Sequence, residues 1–196
     1  RSRTGRICVL ASGNPLWYGA ANMLVRHFGT ARVQVVPHPG AFDLAAARLG
    51  WSEADLDTLT LHGRPPALLQ PFVQPDARLL ILSADAGTPG AVAEMLRRRG
   101  FGPSRIWVLE HLGGPEERIV EGTAADWSAN DLADLNVIAV ECIPGADAQV
   151  LARTPGLPDE AFRHDGQMTK REVRAATLAA LVPGPEQHLW DIGAGC

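Results

Sequence analysis

Two turns rich in small residues, each following an apolar run, are the stretches of this sequence best suited to bind a small molecule. Residues 7–10 lead into Ala-Ser-Gly-Asn-Pro, and residues 79–82 lead into Ser-Ala-Asp-Ala-Gly. An apolar run bounded by turn residues predicts a buried strand, and open α/β sheets bind ligands just beyond the carboxyl ends of their strands. Gly13 permits backbone angles that are closed to other residues. The first turn taken alone fits an ordinary strand-to-helix connection, but two such turns predict the walls of one crevice.

The elements that must position these turns alternate between strands and helices. Gly29, Gly50 and Gly100 each follow a helical pattern, as glycine commonly does at a helix end. The short spacing of the late strands favours a mixed sheet over a purely parallel one. Strands are predicted at residues 7–10, 33–36, 57–61, 78–82, 105–109, 117–122 and 136–142, with a new one from His188. Helices are predicted at residues 20–28, 41–49, 88–99 and 168–181, the last with Thr169 as a candidate cap.

Composition narrows the class of protein. The chain has 196 residues, of which 46% are hydrophobic and 20% charged, a typical globular composition. The net charge of −4 gives no basic footprint for nucleic acid, and no apolar run approaches the roughly 20 residues of a membrane span. Cys8, Cys142 and Cys196 are too widely spaced for a metal site and form no even disulfide set. The first two lie in apolar runs and are predicted to be core residues of a protein in a reducing cytoplasm.

The order of the turns carries a family resemblance. Residues 11–19, Ala-Ser-Gly-Asn-Pro-Leu-Trp-Tyr-Gly, resemble the Gly-Asp-Pro loop of the tetrapyrrole methylases, with Asn14 where that family usually has Asp. Gly40 stands where relatives often carry Ser. The blocks that resemble the rest of the family pattern follow in order at residues 39–42, 45–51, 59–64, 82–89, 109–113 and 135–141.

The tail resembles the entry to a second methyltransferase domain. Residues 164–174 and the turn Trp-Asp-Ile-Gly-Ala-Gly at residues 190–195 are similar to the start of a Rossmann-like class I methyltransferase. The resemblance is strongest to the fused members of the family, which methylate a precorrin at carbons 5 and 15, with decarboxylation, on the route to cobalamin. It implies carbon 5 for this half and carbon 15 for the truncated one.

The resemblance implies an α/β tetrapyrrole methylase fold of two lobes, with a parallel first sheet and a mixed second sheet. Residues 1–30 would be the remainder of the first lobe, whose first strand and glycine-rich loop would precede Arg1. Residues 31–143 would form the second lobe and residues 144–165 a linker. Residues 166–196 would be the truncated start of the second domain. A homodimer is the family default, and two-fold dimers are the commonest oligomers.

The implied chemistry is methyl transfer from S-adenosylmethionine to a carbon of the tetrapyrrole. The sulfonium methyl is already activated, so alignment and exclusion of water should dominate, and the sequence offers no set of catalytic acids or metal ligands. Small residues suit such a site because a cofactor can approach their backbone closely. By resemblance, the cofactor residues of this half are Gly13, Asn14, Leu16, Gly40, Ala41, Phe42, Ser83, Ala84, Asp85, Leu112, Asn136 and Val137. Those of the second domain are Asp191, Gly193 and Gly195, and the substrate residues are His62 and Arg64.

Four polar residues keep two interpretations each. Asn14 is a polar contact to the cofactor or a turn residue that bonds its own backbone. Asp85 is a contact to the cofactor or a helix cap. His62 and Arg64 meet substrate carboxylates, which arginine binds bidentately, or they are exposed residues at a strand end.

Two other functions remain open from the residues. A non-catalytic α/β binding or oligomerisation module is favoured by the change at Asn14 and by the expected loss of the first glycine-rich loop. A nucleotide-dependent dehydrogenase is suggested by the Asp-Ile-Gly-Ala-Gly turn at residues 191–195. No Gly-x-Gly-x-x-Gly sequence opens the first sheet and no second-strand acid is identifiable, which argues against the dehydrogenase.

Overall fold

A single mixed sheet organises the part of the chain that the structure describes. The computed structural model describes residues 5–184 and 186–193. Its sheet has the order β1-β2-β5-β3-β4, in which β1 and β2 are parallel and every other neighbouring pair is antiparallel. The prediction of a mixed sheet is therefore confirmed. The strands are β1 (Asp57–Thr60), β2 (Arg78–Leu82), β3 (Arg105–Glu110), β4 (Arg118–Thr123) and β5 (Asn136–Glu141).

Four α-helices accompany the sheet among the described residues, and each begins and ends within three residues of its predicted limits. Gly29 and Gly50 end the first two with positive φ, as their position after a helical pattern predicts. No helix among residues 5–184 and 186–193 is long and apolar enough to cross a membrane. The helices are α1 (Ala21–Phe28), α2 (Ala41–Leu49), α3 (Thr88–Arg98) and α4 (Arg171–Leu181).

The sheet is buried on both faces because α2 covers one and α3 the other. Side chains alternate between faces along a strand, so adjacent residues of β2 and β5 enter different clusters, as Leu80 and Ile81 do. Strands buried on both faces read as continuous apolar runs, which explains why these central strands were predictable. The apolar cluster between α2 and the sheet contains Phe42, Ala45, Ala46, Leu80, Trp107, Leu109, Val137 and Ala139.

Two predicted strands do not form. Residues 7–10 and 33–36 have no strand structure, and Ile7 and Leu10 are 82% and 93% exposed. An extended segment needs a neighbour for its backbone hydrogen bonds, and the sheet of the described residues contains neither segment. Cys8 is exposed, which contradicts its predicted core position, whereas Cys142 is buried as predicted. Burial raises the pKa of the Cys142 thiol to about 12.

The tail differs from its prediction as well. Helix α4 begins at Arg171, and Lys170 precedes it without a side-chain cap, so Thr169 is not the capping residue. Its carbonyl accepts a hydrogen bond from Arg174 instead. Residues 188–192 form no strand, with Trp190 82% exposed. The reason is again the missing neighbour, since no strand among the described residues pairs with this segment.

The start of the expected linker is bound tightly to the sheet domain. Arg99 is 4% exposed, and its guanidinium donates to the carbonyl oxygens of Gln149 at 2.7 Å and Val73 at 3.2 Å. The Gln149 amide in turn donates to the carbonyl of Arg99. Gln74 donates to the Leu151 carbonyl at 2.8 Å. Residues 145–151 therefore follow the surface of the domain.

Candidate functional site

The topology collects the candidate residues of the second lobe at one end of the sheet. Strands β1, β2 and β3 finish at this end, and β4 and β5 begin there. We call it the site end. The register pairs Leu82 with Val137 and Glu110 with Asn136, which places the turns after β2 and β3 beside the start of β5. The candidates at this end are His62, Arg64, Ser83, Ala84, Asp85, Leu112, Asn136 and Val137.

The Gly13 turn packs directly on the start of α2. A Cβ on Gly13, whose φ is +65°, would lie 3.3 Å from the Gly40 Cα, and one on Gly40 would lie 3.1 Å from the Asn14 nitrogen. Asn14 Oδ1 accepts a hydrogen bond from the Leu16 amide at 3.0 Å. The hydrogen bond expected of a turn residue is therefore present, and a contact between Asn14 and the cofactor stays a prediction. Two glycines permit a backbone approach that side chains would prevent.

Phe42 links this turn to the sheet. The rings of Trp17 and Tyr18 pack edge-on against it with centroids 6.1 and 6.3 Å away. Phe42 is itself buried in the cluster that includes Val137, with Leu112 packed against it. The Gly13 turn and the site end thus share one apolar cluster. A shallow depression beside the turn is lined by Asn14, Leu16, Trp17, Tyr18 and Asn22.

Asp85 acts as a helix cap. Its Oδ1 accepts hydrogen bonds from the Gly87 amide, the Thr88 amide and the Thr88 hydroxyl at 2.9, 3.0 and 2.9 Å. Ser83 Oγ donates to the Asp85 carbonyl at 2.8 Å, and the Ala84 amide donates to Thr88 Oγ1 at 3.2 Å. These bonds hold the turn after β2 in one shape.

Asn136 has a buried oxygen without a partner. Asn136 is only 6% exposed, and its Nδ2 donates to the Ala133 carbonyl at 2.7 Å. Its Oδ1 is inaccessible to solvent and accepts no hydrogen bond in the structure. An unsatisfied buried acceptor costs about 1–3 kcal/mol and is uncommon in native proteins. A ligand that donates an N–H or O–H would remove that cost.

The sequence reasoning missed an ion pair beside Asn136. Glu110 is 2% exposed and accepts from Arg118 Nε at 2.5 Å. Its other oxygen accepts from the Ala133 amide at 2.7 Å. The available signal was the acid that ends the apolar run Ile-Trp-Val-Leu-Glu, because a buried carboxylate requires a partner.

The ion pair predicts an acid-dependent stability. Hydrogen bonding from Arg118 lowers the pKa of Glu110 below its ordinary value of 4.5. Because the folded pKa is the lower one, the stabilisation is complete above about pH 4.5 and is lost as the pH falls through the folded pKa. We expect the free energy of unfolding, measured in urea between pH 3 and 6, to depend less steeply on pH for Glu110→Gln than for wild type. Identical pH dependences would contradict this assignment.

Several candidates are exposed rather than packed in the apolar cluster around Phe42. His62 and Arg64 are exposed at the site end, just after the edge strand β1, and their contact with substrate carboxylates stays a prediction. Leu16 is 47% exposed. Asp191 and Gly193 lie on the exposed tail, and Gly195 falls outside the described residues.

Two family models match the chain. Residues 1–127 match the tetrapyrrole (corrin/porphyrin) methylases, and residues 160–196 match a precorrin methyltransferase domain. The first match covers the Gly13 turn, α2, the turn after β2 and the β3–β4 hairpin.

Similar proteins agree with these matches. The chain is 44% identical over 193 residues to the precorrin-6Y C(5,15)-methyltransferase [decarboxylating] of a Sinorhizobium species, covering 98% of this chain and 47% of that protein. It is 33% identical over 134 residues to the cobalt-precorrin-7 C(5)-methyltransferase of Salmonella typhimurium, covering 66% of each. The chain thus spans about half the length of the Sinorhizobium protein.

Solved structures support the same fold. The uroporphyrin-III C-methyl transferase of Thermus thermophilus, solved with S-adenosylhomocysteine, matches with a TM-score of 0.50 and 20% identity, over 66% of this chain and 62% of that one. The likeness at this identity concerns the fold. The tetrapyrrole methylase model covers residues 1–127, well over half of the chain. The chain belongs to the tetrapyrrole methylase family.

Proposed function

We propose that the chain is part of an S-adenosylmethionine-dependent methyltransferase that methylates precorrin-6Y at carbons 5 and 15, with decarboxylation, in cobalamin biosynthesis. Support comes from the family match and from the 44% identity to a fused relative of that name. The observation that carries the proposal is the buried Asn136 Oδ1, an acceptor without a partner at the site end.

The residues present fit such a cofactor. The turns that would hold it are built of small residues: Gly13 and Gly40 pack backbone against backbone, and Ala84 carries only a methyl group. Main-chain groups rather than bulky side chains would therefore border the cofactor. Asn136 Oδ1 would accept a hydrogen bond from one of the amino or hydroxyl groups that S-adenosylmethionine carries. When bound, the cofactor supplies an activated methyl group.

The protein's own contribution is placement. Phe42, Val137 and Leu112 form an apolar wall that would exclude water from the reacting centre. The capped turn after β2 and the Asn14 turn are each fixed by internal hydrogen bonds, so the wall is formed before a ligand arrives. Alignment of reactants in this way can supply a large share of a barrier reduction without any catalytic acid.

The change from Asp to Asn at position 14 does not favour a non-catalytic module. The side-chain oxygen accepts from the Leu16 amide, a role that either residue performs. The turn therefore keeps its shape with Asn14 in place. Loss of catalysis would need some other cause.

The domain organisation extends the proposal. Residues 1–30 and 31–143 would belong to the tetrapyrrole methylase domain, residues 144–165 would connect it to the next, and residues 166–196 would open a class I methyltransferase domain with Asp191, Gly193 and Gly195 at its cofactor. Similarity to a C(5)-methyltransferase supports carbon 5 for the first domain.

We also propose that the protein is a homodimer in the cytoplasm. Sedimentation of the purified protein would test the oligomeric state.

Calorimetric titration of the full-length protein with S-adenosylhomocysteine tests the proposal. We expect two ligands per chain, one in each domain, and transfer of methyl groups to precorrin-6Y when S-adenosylmethionine is supplied. Absence of binding at millimolar ligand would refute it. Binding without any methylated product would instead favour the non-catalytic module.

A further inference from the structure

The segment before β5 is fastened at several points to the site end. Arg118 donates to the carbonyl of Asp131, Glu110 accepts from the amide of Ala133 at 2.7 Å, and Asp134 Oδ1 accepts from the amide of Ala86 at 3.0 Å. The last contact reaches the turn after β2. Residues 131–136 therefore connect the β3–β4 hairpin with that turn.

Glu110 is the centre of these contacts. One carboxylate oxygen accepts from Arg118 Nε, and the other accepts from both Arg118 and the Ala133 amide. Ala133 then uses its carbonyl to accept from Asn136 Nδ2. This continuous path of hydrogen bonds fixes which side of the Asn136 amide is the donor. The oxygen is left as the free acceptor.

We propose that Glu110 and Arg118 are positioning residues of the cofactor site: through Ala133 they orient the Asn136 amide so that Oδ1 faces the donor group of the cofactor. The inference rests on the proposed function. The Glu110 carboxylate is buried while Arg118 is half exposed, and taking a carboxylate out of water carries a cost that pairing repays only in part. Orienting the Asn136 amide gives Glu110 and Arg118 a role that apolar side chains could not perform.

Glu110→Gln is the sharpest substitution, because the side chain keeps its size. A carboxylate accepts at both oxygens, whereas the glutamine amide has one acceptor. With its oxygen in place of the shared one, the glutamine keeps Ala133 but sets its NH2 group against the Arg118 Nε donor; with the amide reversed, it loses the Ala133 amide. We expect S-adenosylhomocysteine to bind about tenfold more weakly, equivalent to losing roughly one hydrogen bond.

Binding should be measured in full-length protein carrying Gly193→Asp, which obstructs the proposed cofactor turn of the second domain and leaves the first domain as the reporter. Glu141→Gln is the matched control. Glu141 pairs with Arg78 at 3.0 Å at the opposite end of the same sheet. The Glu141→Gln substitution should change the dissociation constant of S-adenosylhomocysteine less than twofold. Arg118→Lys, which keeps the charge, should bind more tightly than Arg118→Met.

A double-mutant cycle separates positioning from general structure. If Glu110 acts through Asn136, Glu110→Gln should add little to the loss already caused by Asn136→Leu. An equal loss in both backgrounds would overturn the inference, as would a Glu110→Gln effect no larger than that of Glu141→Gln. If Glu110→Gln fails to fold, the two Arg118 variants decide in the same way. Failure of the Gly193→Asp protein itself to bind would overturn the proposed function of this domain, and the inference with it.

Discussion

Gly19→Ala should weaken binding of S-adenosylhomocysteine to the first domain by roughly tenfold or more. A Cβ at this position would clash with the Pro15 carbonyl oxygen and would lie 2.8 Å from that of Asn14. Backbone atoms cannot rotate away as a side chain does. The Pro15 carbonyl also accepts from the Ala21 amide at 3.0 Å, where α1 begins. The turn must therefore open, and the opening separates Asn14 from Gly40.

A displaced turn affects binding more than folding because Gly13 and Asn14 would contact the cofactor directly, and small misplacements in such sites are costly. Titration calorimetry of the full-length Gly193→Asp protein measures the effect. Gly90→Ala is the control: Gly90 lies inside α3 and a Cβ there meets no atom within 4 Å. We expect Gly90→Ala to stabilise the fold by about 0.5–1 kcal/mol with unchanged affinity. Unchanged affinity in Gly19→Ala would contradict the placement of the turn at the cofactor.

Gly100→Ala should be the most damaging single substitution for stability, with a loss of about 2–5 kcal/mol in the free energy of unfolding. Two costs combine. Gly100 has a φ of +74°, and a Cβ would lie 2.7 Å from both the Ala148 Cα and the Asp147 carbonyl oxygen. Relief requires residues 145–149 to leave the domain, which breaks the contact between Arg99 and Gln149.

Gly50→Ala separates the two costs. Gly50 has a similar φ of +67°, but a Cβ there meets nothing within 4 Å. Urea unfolding should show a loss of only about 1 kcal/mol at this position. Equal losses at positions 50 and 100 would mean that the packing of residues 145–149 contributes nothing to stability.

Elements with strong local signals were predictable from the sequence. β2 was predicted with its observed limits because Leu79–Leu82 is apolar throughout and is followed by small turn residues. α2 was predicted equally well because Gly50 ends it in the left-handed conformation. In both cases the information lies within about ten neighbouring residues.

The errors arise where the partner, rather than the segment, decides the structure. Residues 7–10 have the apolar composition of a strand, but a strand forms only beside another. The candidate site also combines features that have a local sequence signal with features that have none. Gly13 and Gly40, which approach each other closely, lie in sequence blocks that the family resemblance indicates. The Glu110 pair and the unsatisfied oxygen of Asn136 depend on strand register, which brings position 110 opposite position 136 and has no local sequence signal.

A crystal structure of the full-length protein with S-adenosylhomocysteine tests the central claim most directly. We expect ligand density in the first domain, against residues 13–14, 40–42 and 136–137, with a donor atom of the ligand within hydrogen-bond distance of Asn136 Oδ1. Ligand bound only beyond residue 166, with the first domain empty at saturating concentration, would contradict the assignment of this end of the sheet as a cofactor site.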